Sequence, residues 1–266
     1  MSDLADRAAE LAAADPATAR RLAGGDLNEV IVLAKVDGGQ CVAKAGPDVA
    51  AEAAMLRAMG EAGMPVPRVI AAEQGVLLLS HVENDGAPGW PDLGAKLARM
   101  HGLRGETYGW DRDYRFGDVV LANARTDDWR QFWWRQRLVE TARPLGGDWL
   151  RRIEALGPVF DDILPAAPAV SLLHGDLWSG NILWRNGRLA ALIDPACYYG
   201  DAEVDLAMLH LFGTPGQGFY ETYGALKPGW EQRRAAYKLF PALVHLRLFG
   251  SGYAGMVERL LTQLRV

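Results

Sequence analysis

The feature that most constrains this 266-residue chain is the stretch from His174 to Asp194. It opens with the polar cluster His174-Gly175-Asp176-Leu177-Trp178-Ser179-Gly180-Asn181. Two short apolar runs follow, Ile182-Leu183-Trp184 and Leu189 to Ile193, joined around Asn186-Gly187. Asn-Gly accepts positive φ at both central positions of a tight turn, which makes it the strongest short signal for a hairpin. A hairpin brings its two ends together. Asp194 is therefore expected back beside Asn181, although thirteen residues separate them in the chain. Asp176, five residues before Asn181, adds a second carboxylate to the group.

Such a set suits phosphoryl transfer. Magnesium prefers hard oxygen ligands and completes its shell with phosphate and water, so Asn181 and Asp194 are the expected metal ligands. A separate carboxylate has to take the proton of the attacking hydroxyl, which makes Asp176 the expected catalytic base. Asp, four residues, Asn and a later Asp is the protein-kinase spacing. Two departures stand out: Gly175 where that pattern has Arg, and Pro195 where it has Phe after the later Asp. They point away from a protein kinase and toward a small-molecule kinase with the same fold.

The N-terminal part fits a nucleotide-binding role. Val30 to Val36 and Gln40 to Ala45 flank Asp37-Gly38-Gly39 and read as two strands of a hairpin. A helix is expected from the Gly46-Pro47-Asp48 break to about Ala62, with Gly63 ending it. Glu52 precedes Met55, Leu56 and Met59 by three, four and seven residues, so it shares their inward face. A carboxylate there needs a partner, and Lys44 on the preceding strand is available. The pair is expected to hold nucleotide phosphates through the lysine. The Gly24-Gly25-Asp26 turn is expected to cover the phosphates with backbone N–H groups. Ser80 and Val82, at the exit of the apolar run Val76–Leu79, complete the nucleotide-binding candidates.

Residues 83–91 contain Asn84-Asp85-Gly86 and Pro88-Gly89 and read as a hinge. The expected organisation is α+β and bilobal, with a small β-rich lobe over 1–82 and a mostly helical lobe over 92–266. His101, His210 and His245 lie in apolar helical stretches and read as hydrogen-bonded buried histidines. Trp129, Trp133 and Trp134 read as core, with an aromatic wall beside a sugar as the alternative. His174 is expected to support its loop.

Composition excludes several classes. The formal net charge is −5, so no basic face for nucleic acid is indicated. The two cysteines, Cys41 and Cys197, have neither zinc-site spacing nor a disulfide framework. The Ala-rich start carries Asp3, Asp6, Arg7 and Glu10 and lacks the pattern of a signal peptide. No apolar run has the length of about 18 residues that marks a membrane span. A cytoplasmic protein, acting as a monomer without membrane or nucleic acid, is expected.

With these residues in view, the string His174 to Asn181, with Trp178-Ser179 at its centre, resembles the fructosamine kinases, also called ketosamine-3-kinases. Asp194-Pro195-Ala196, Tyr198-Tyr199-Gly200-Asp201 and then Glu203, Asp205, Leu206, Ala207 and Met208 are also similar to that family, as are Thr107-Tyr108-Gly109-Trp110 and the region from Asp127 to Arg137. The resemblance implies a protein-kinase-like fold and use of ATP with Mg2+. It implies phosphorylation of the 3-hydroxyl of a ketosamine, free or on glycated protein, whose unstable product sheds the sugar and restores the amine. It also gives supporting roles near the substrate to His174, Trp178, Ser179 and Asp201. Kinases for aminoglycosides or amino alcohols share the catalytic residues and typically carry another pair in place of Trp178-Ser179. A nucleotide-binding pseudokinase is disfavoured, because base, metal ligands and lysine are all present. Some family members carry a cysteine in the Gly-rich loop. Here Gly24-Gly25-Asp26-Leu27 has none, so redox-controlled dimerisation is not expected.

Overall fold

The computed structural model describes residues 3–22 and 28–265. The phosphate-covering turn expected at Gly24 and Gly25 lies outside the described residues. The chain forms two compact units. The first takes Met1–Leu93 together with Gly180–Pro195, and the second takes Gly94–Ser179 with Ala196–Val266.

The first unit is built on an antiparallel sheet of β1 (Arg20–Arg21), β2 (Val30–Ala34), β3 (Gln40–Ala45), β4 (Val69–Glu73) and β5 (Val76–Ser80), in the order β1-β2-β3-β5-β4. The expected hairpin is β2–β3, with Val30 opposite Lys44 and Ala34 opposite Gln40. Gly38 and Gly39 supply the positive φ its turn requires. Successive strand residues face opposite sides, and each side is covered by a helix. Leu4, Ala5 and Ala8 of α1 (Asp3–Ala12) join Ile31, Leu33, Cys41, Ala43, Val76 and Leu78. Val49, Ala53 and Leu56 of α2 (Val49–Glu61) pack with Leu77 and Leu79 on the other side. This two-sided burial explains why Val76–Leu79 reads as an unbroken apolar run. It also places Lys44, in step with Val42, on the face that α2 covers.

The second hairpin pairs Ile182–Arg185 with Arg188–Leu192 in the register Ile182 opposite Leu192. Asn186 and Gly187 both take positive φ, 51° and 67°. Although it follows the catalytic loop in sequence, this hairpin belongs to the first unit. Leu192 N–H donates to the Pro65 carbonyl at 2.9 Å. Residues 83–91, read from sequence as a hinge, are tied to it. Asp85 donates its N–H to the Trp184 carbonyl at 2.9 Å, and its carboxylate accepts from Asn186 N–H at 2.9 Å. The Asp92 carboxylate accepts from Leu189 N–H at 2.9 Å. At Gly89 an added Cβ would come within 2.2 Å of the Gly187 carbonyl, so only glycine lets the two segments approach.

The second unit is mostly helical. Asp128 caps a helical run from Trp129, accepting from Gln131 N–H at 3.0 Å. The run continues through a π-helical stretch, Phe132–Val139. Trp129, Phe132 and Trp133 are buried, and Trp133 meets Tyr237 edge-on at 5.0 Å. Tyr237 belongs to the long helix Trp230–Phe249. Short strands Ser171–Leu173 and Tyr198–Gly200 pair antiparallel, Leu173 opposite Tyr198. No helix among the described residues is long and apolar enough to cross a membrane.

Candidate active site

In the first unit the expected lysine–glutamate pair forms and gains a third member. The Lys44 ammonium donates to Glu52 Oε1 at 2.9 Å and to Asp194 Oδ1 at 3.0 Å. Lys44 and Glu52 are both buried. The side chain of Glu52 is 6% exposed and that of Asp194 is 41% exposed. One carboxylate is thus committed to the lysine, while the other has room for a further ligand. Burial works against the Lys44 charge, but the two carboxylates outweigh it and hold its pKa above the ordinary lysine value. Asp194 takes a φ of 52°, in the left-handed region that non-glycine residues seldom adopt. Such backbone is retained where its surroundings over-determine it, typically at functional sites.

Asn181 is buried and immediately precedes the first strand of the second hairpin. Its carbonyl accepts from Ile193 N–H at 3.1 Å, so the hairpin does return Asp194 beside Asn181. Ser80 closes β5, and its hydroxyl accepts from Arg68 N–H at 2.9 Å. Val82 is half-buried in the irregular segment beyond it.

The second unit carries the loop with Asp176. A single buried carboxylate, Asp205, organises that loop by accepting from His174 N–H at 2.8 Å and from Gly175 N–H at 2.9 Å. His101 Nε2 lies 3.1 Å from the same carboxylate, and its Nδ1 lies 2.9 Å from the Tyr223 hydroxyl. Burial raises the Asp205 pKa, but the His101 hydrogen bond and charge, His174 and the Gly175 N–H together bring it below the usual aspartate value. His174 is fully buried, and its Nδ1 accepts from Asp176 N–H at 3.2 Å. Its carbonyl accepts from Ala196 N–H at 2.8 Å. Gly175 has a φ of +82°, and a Cβ there would stand 2.0 Å from the Ala196 carbonyl. A side chain at this position, the arginine of the protein-kinase pattern included, would collide with that backbone.

Asp176 is partly buried and Trp178 is 37% exposed. The Trp178 ring meets Phe212 edge-on at 6.0 Å. Ser179 is exposed. Asp201 accepts from the Tyr237 hydroxyl at 2.7 Å and from Glu203 N–H at 3.1 Å, joining the helix Glu203–Leu209 to the long helix. Sequence reasoning missed Asp205 as a site residue. The signal was present, because Asp205 lies in the apolar stretch Val204 to Leu209 and a carboxylate there needs partners, the argument that found Glu52.

The class follows first. The fold is the α+β, protein-kinase-like one shared by small-molecule phosphotransferases. An ADP-bound aminoglycoside phosphotransferase superposes with a TM-score of 0.64 over 98% of this chain and 97% of its own, at 14% identity, which is a likeness of fold alone. The family follows from sequence. The fructosamine kinase family model matches residues 5–265, and the chain belongs to that family. A candidate ketoamine kinase of Lactiplantibacillus plantarum is 37% identical over 231 residues, which span 80% of each chain. A chloroplastic protein-ribulosamine 3-kinase of Arabidopsis thaliana is 35% identical over 192 residues, spanning 66% of this chain and 58% of that protein. The crystal structure of a candidate fructosamine-3-kinase from Thermobifida fusca is 28% identical, with a TM-score of 0.86 over 99% of this chain and 98% of that one.

Proposed function

We propose that this protein transfers the γ-phosphoryl group of ATP to the 3-hydroxyl of a ketosamine, free or borne on a glycated protein. The observation that carries the reading is the Lys44 ammonium held between a buried Glu52 and a half-open Asp194 that has Asn181 as its neighbour. The family and the names of its ketoamine and ribulosamine kinase relatives support the acceptor class.

Each residue has a stated task. Lys44 contacts the nucleotide phosphates, and Glu52 keeps it charged and oriented. Ser80 and Val82 lie along the nucleotide. Asn181 and Asp194 offer one amide and one carboxylate oxygen. Among the described residues no group of three or more His, Cys, Asp or Glu side chains could hold a metal, and a two-oxygen set suits a cation that shares its shell with phosphate and water. These two residues would hold Mg2+, which neutralises charge on the phosphates. Asp176 takes the proton of the attacking 3-hydroxyl as its oxygen bonds to the γ-phosphorus. The bond from that phosphorus to the bridging oxygen breaks, and ADP leaves. Asp205, through two backbone N–H groups, fixes the loop on which Asp176 sits. Trp178, Ser179, His174 and Asp201 support the acceptor side. The reading includes a cytoplasmic monomer, for which sedimentation should return one protomer mass.

The test is phosphate transfer from Mg-ATP to ribuloselysine, fructoselysine and an aminoglycoside, with Asp176→Asn as control. Transfer to a ketosamine that disappears in the control is expected. Transfer only to the aminoglycoside would overturn the acceptor class and keep the mechanism.

A further inference from the structure

A second cluster of charged groups in the helical unit is absorbed by none of these roles. Arg234 and Lys238 are four residues apart on the long helix Trp230–Phe249, so they share a face. The Arg234 guanidinium lies over the Trp230 ring at 4.9 Å. The His210 ring packs edge-on against the same Trp230 at 5.5 Å, and its Nε2 lies 2.7 Å from the Tyr220 hydroxyl. Arg259, from the following helix Ala254–Gln263, adds a third positive charge felt by Lys238.

Among the described residues, the side chains of Arg234, Lys238 and Arg259 make no hydrogen bond and no ion pair. Their neighbour Arg233 shows the contrast, with both Glu203 oxygens accepting from it at 2.6 and 2.8 Å. Lys238 is half-buried, where an ammonium without a partner is unfavourable. Its pKa is lowered by burial first and then by Arg234 and Arg259. His210, pushed down to about 4 by burial and then by Arg234 and Lys238, senses the same field. Glu231, on the same helix, acts on Tyr220.

The cluster is aligned with the acceptor side of the loop. His245 lies seven residues beyond Lys238 on the same face, about 10 Å along the axis. His245 meets Phe212 edge-on at 5.0 Å, and Phe212 meets Trp178 at 6.0 Å. Trp178 is two residues from Asp176, and His210 is two residues before Phe212. An aromatic row thus runs from the Asp176 loop to the helix face that carries the unpaired cations.

We infer that Lys238, with Arg234 and Arg259, receives an oxyanion carried by the acceptor, a carboxylate or a phosphate at the end remote from the reacting hydroxyl. This rests on the ketosamine reading, and it narrows the substrate class to ketosamines whose amine substituent carries a negative charge. Two cations one turn apart on one helix face, with Arg259 on the helix packed beside it, suit such a group, since charge-assisted hydrogen bonds to oxyanions are stronger than neutral ones.

The experiment compares initial rates of the full chain on matched acceptors. One pair is Nε-fructosyl-Nα-acetyl-lysine and its C-terminal amide. The other is the fructosamine of 6-aminohexyl phosphate and that of 6-aminohexanol. One anionic member is expected to have a KM about tenfold below its neutral partner. In Lys238→Gln that ratio should fall toward one, and Lys238→Arg should restore it. Which pair shows the effect distinguishes carboxylate from phosphate. A purely structural role for Lys238 would move both members of a pair alike. Equal KM values within both pairs, or a ratio that survives Lys238→Gln, overturns the inference while turnover of the neutral ketosamines leaves the kinase reading standing. Absence of turnover on every ketosamine overturns both.

Discussion

The two polar centres of this molecule are held by different means. In the first unit, charge holds charge: Lys44 joins Glu52 and Asp194 through side chains alone. In the second, one buried carboxylate holds backbone: Asp205 takes the N–H groups of His174 and Gly175. The first arrangement leaves one carboxylate, that of Asp194, partly exposed beside the lysine. The second fixes the main-chain geometry of the loop that carries Asp176, the proposed base. A kinase needs both properties, adaptability around the phosphates and rigidity under the base.

The largest test of this contrast is removal of the base. Asp176→Asn should lower kcat about a thousandfold with ATP affinity retained, as rapid-quench and nucleotide-titration measurements can show. A comparable loss of ATP affinity would place Asp176 with the nucleotide instead. Lys44→Met should lower kcat/KM for ATP about a hundredfold and leave Glu52 without its cation. Next comes the support of the loop. Asp205→Asn keeps one carbonyl oxygen and turns an NH2 toward a backbone donor, so chemical denaturation should register a loss of about 3 kcal/mol. A change below about 0.5 kcal/mol would mean that the loop is held by something else.

Acid and alkali separate the two centres. The Lys44 pKa is raised above its ordinary 10.5, so its stabilisation is full below that value and is lost as pH rises through the folded-state pKa. The Asp205 pKa is lowered below its ordinary 3.8, so its contribution is present above that value and is lost as pH falls through the folded-state pKa. Hydrogen exchange followed at both extremes should show the first unit loosening on the alkaline side and the Asp176 loop on the acid side. The smallest effect belongs to Trp178→Ala, which should raise the acceptor KM about fivefold and leave the KM for ATP unchanged, about 1 kcal/mol of ring contact.

Much of this was legible in the sequence, and the pattern of what was not is informative. The Asn186-Gly187 turn, the return of Asp194 and the Lys44–Glu52 pair all rest on short-range rules, namely turn conformation, strand alternation and helix periodicity. The pairing of the second hairpin with residues 83–91 rests on Asp85, Asp92 and the bare backbone of Gly89, which local periodicity does not encode. A Gly/Pro-rich stretch reads as a hinge whether it is free or fastened. Asp205 is readable in principle as a carboxylate in an apolar stretch, but its partners, the His174 and Gly175 N–H groups, lie 31 and 30 residues away, beyond any local pattern.

The composition of the first unit bears on how the chain comes to be folded. Lys44 and Asp194 are 150 residues apart in sequence, yet they belong to one compact body. When Leu93 has left the ribosome, the sheet and both covering helices can form, but Lys44 has only Glu52 to meet. At typical synthesis rates the missing hairpin arrives on the order of 10 s later. Through that interval the lysine is tethered to its permanent partner and lacks the one it is proposed to share with the nucleotide. The N-terminal body thus completes its Lys44 charge cluster only after most of the chain that separates its two parts has been made.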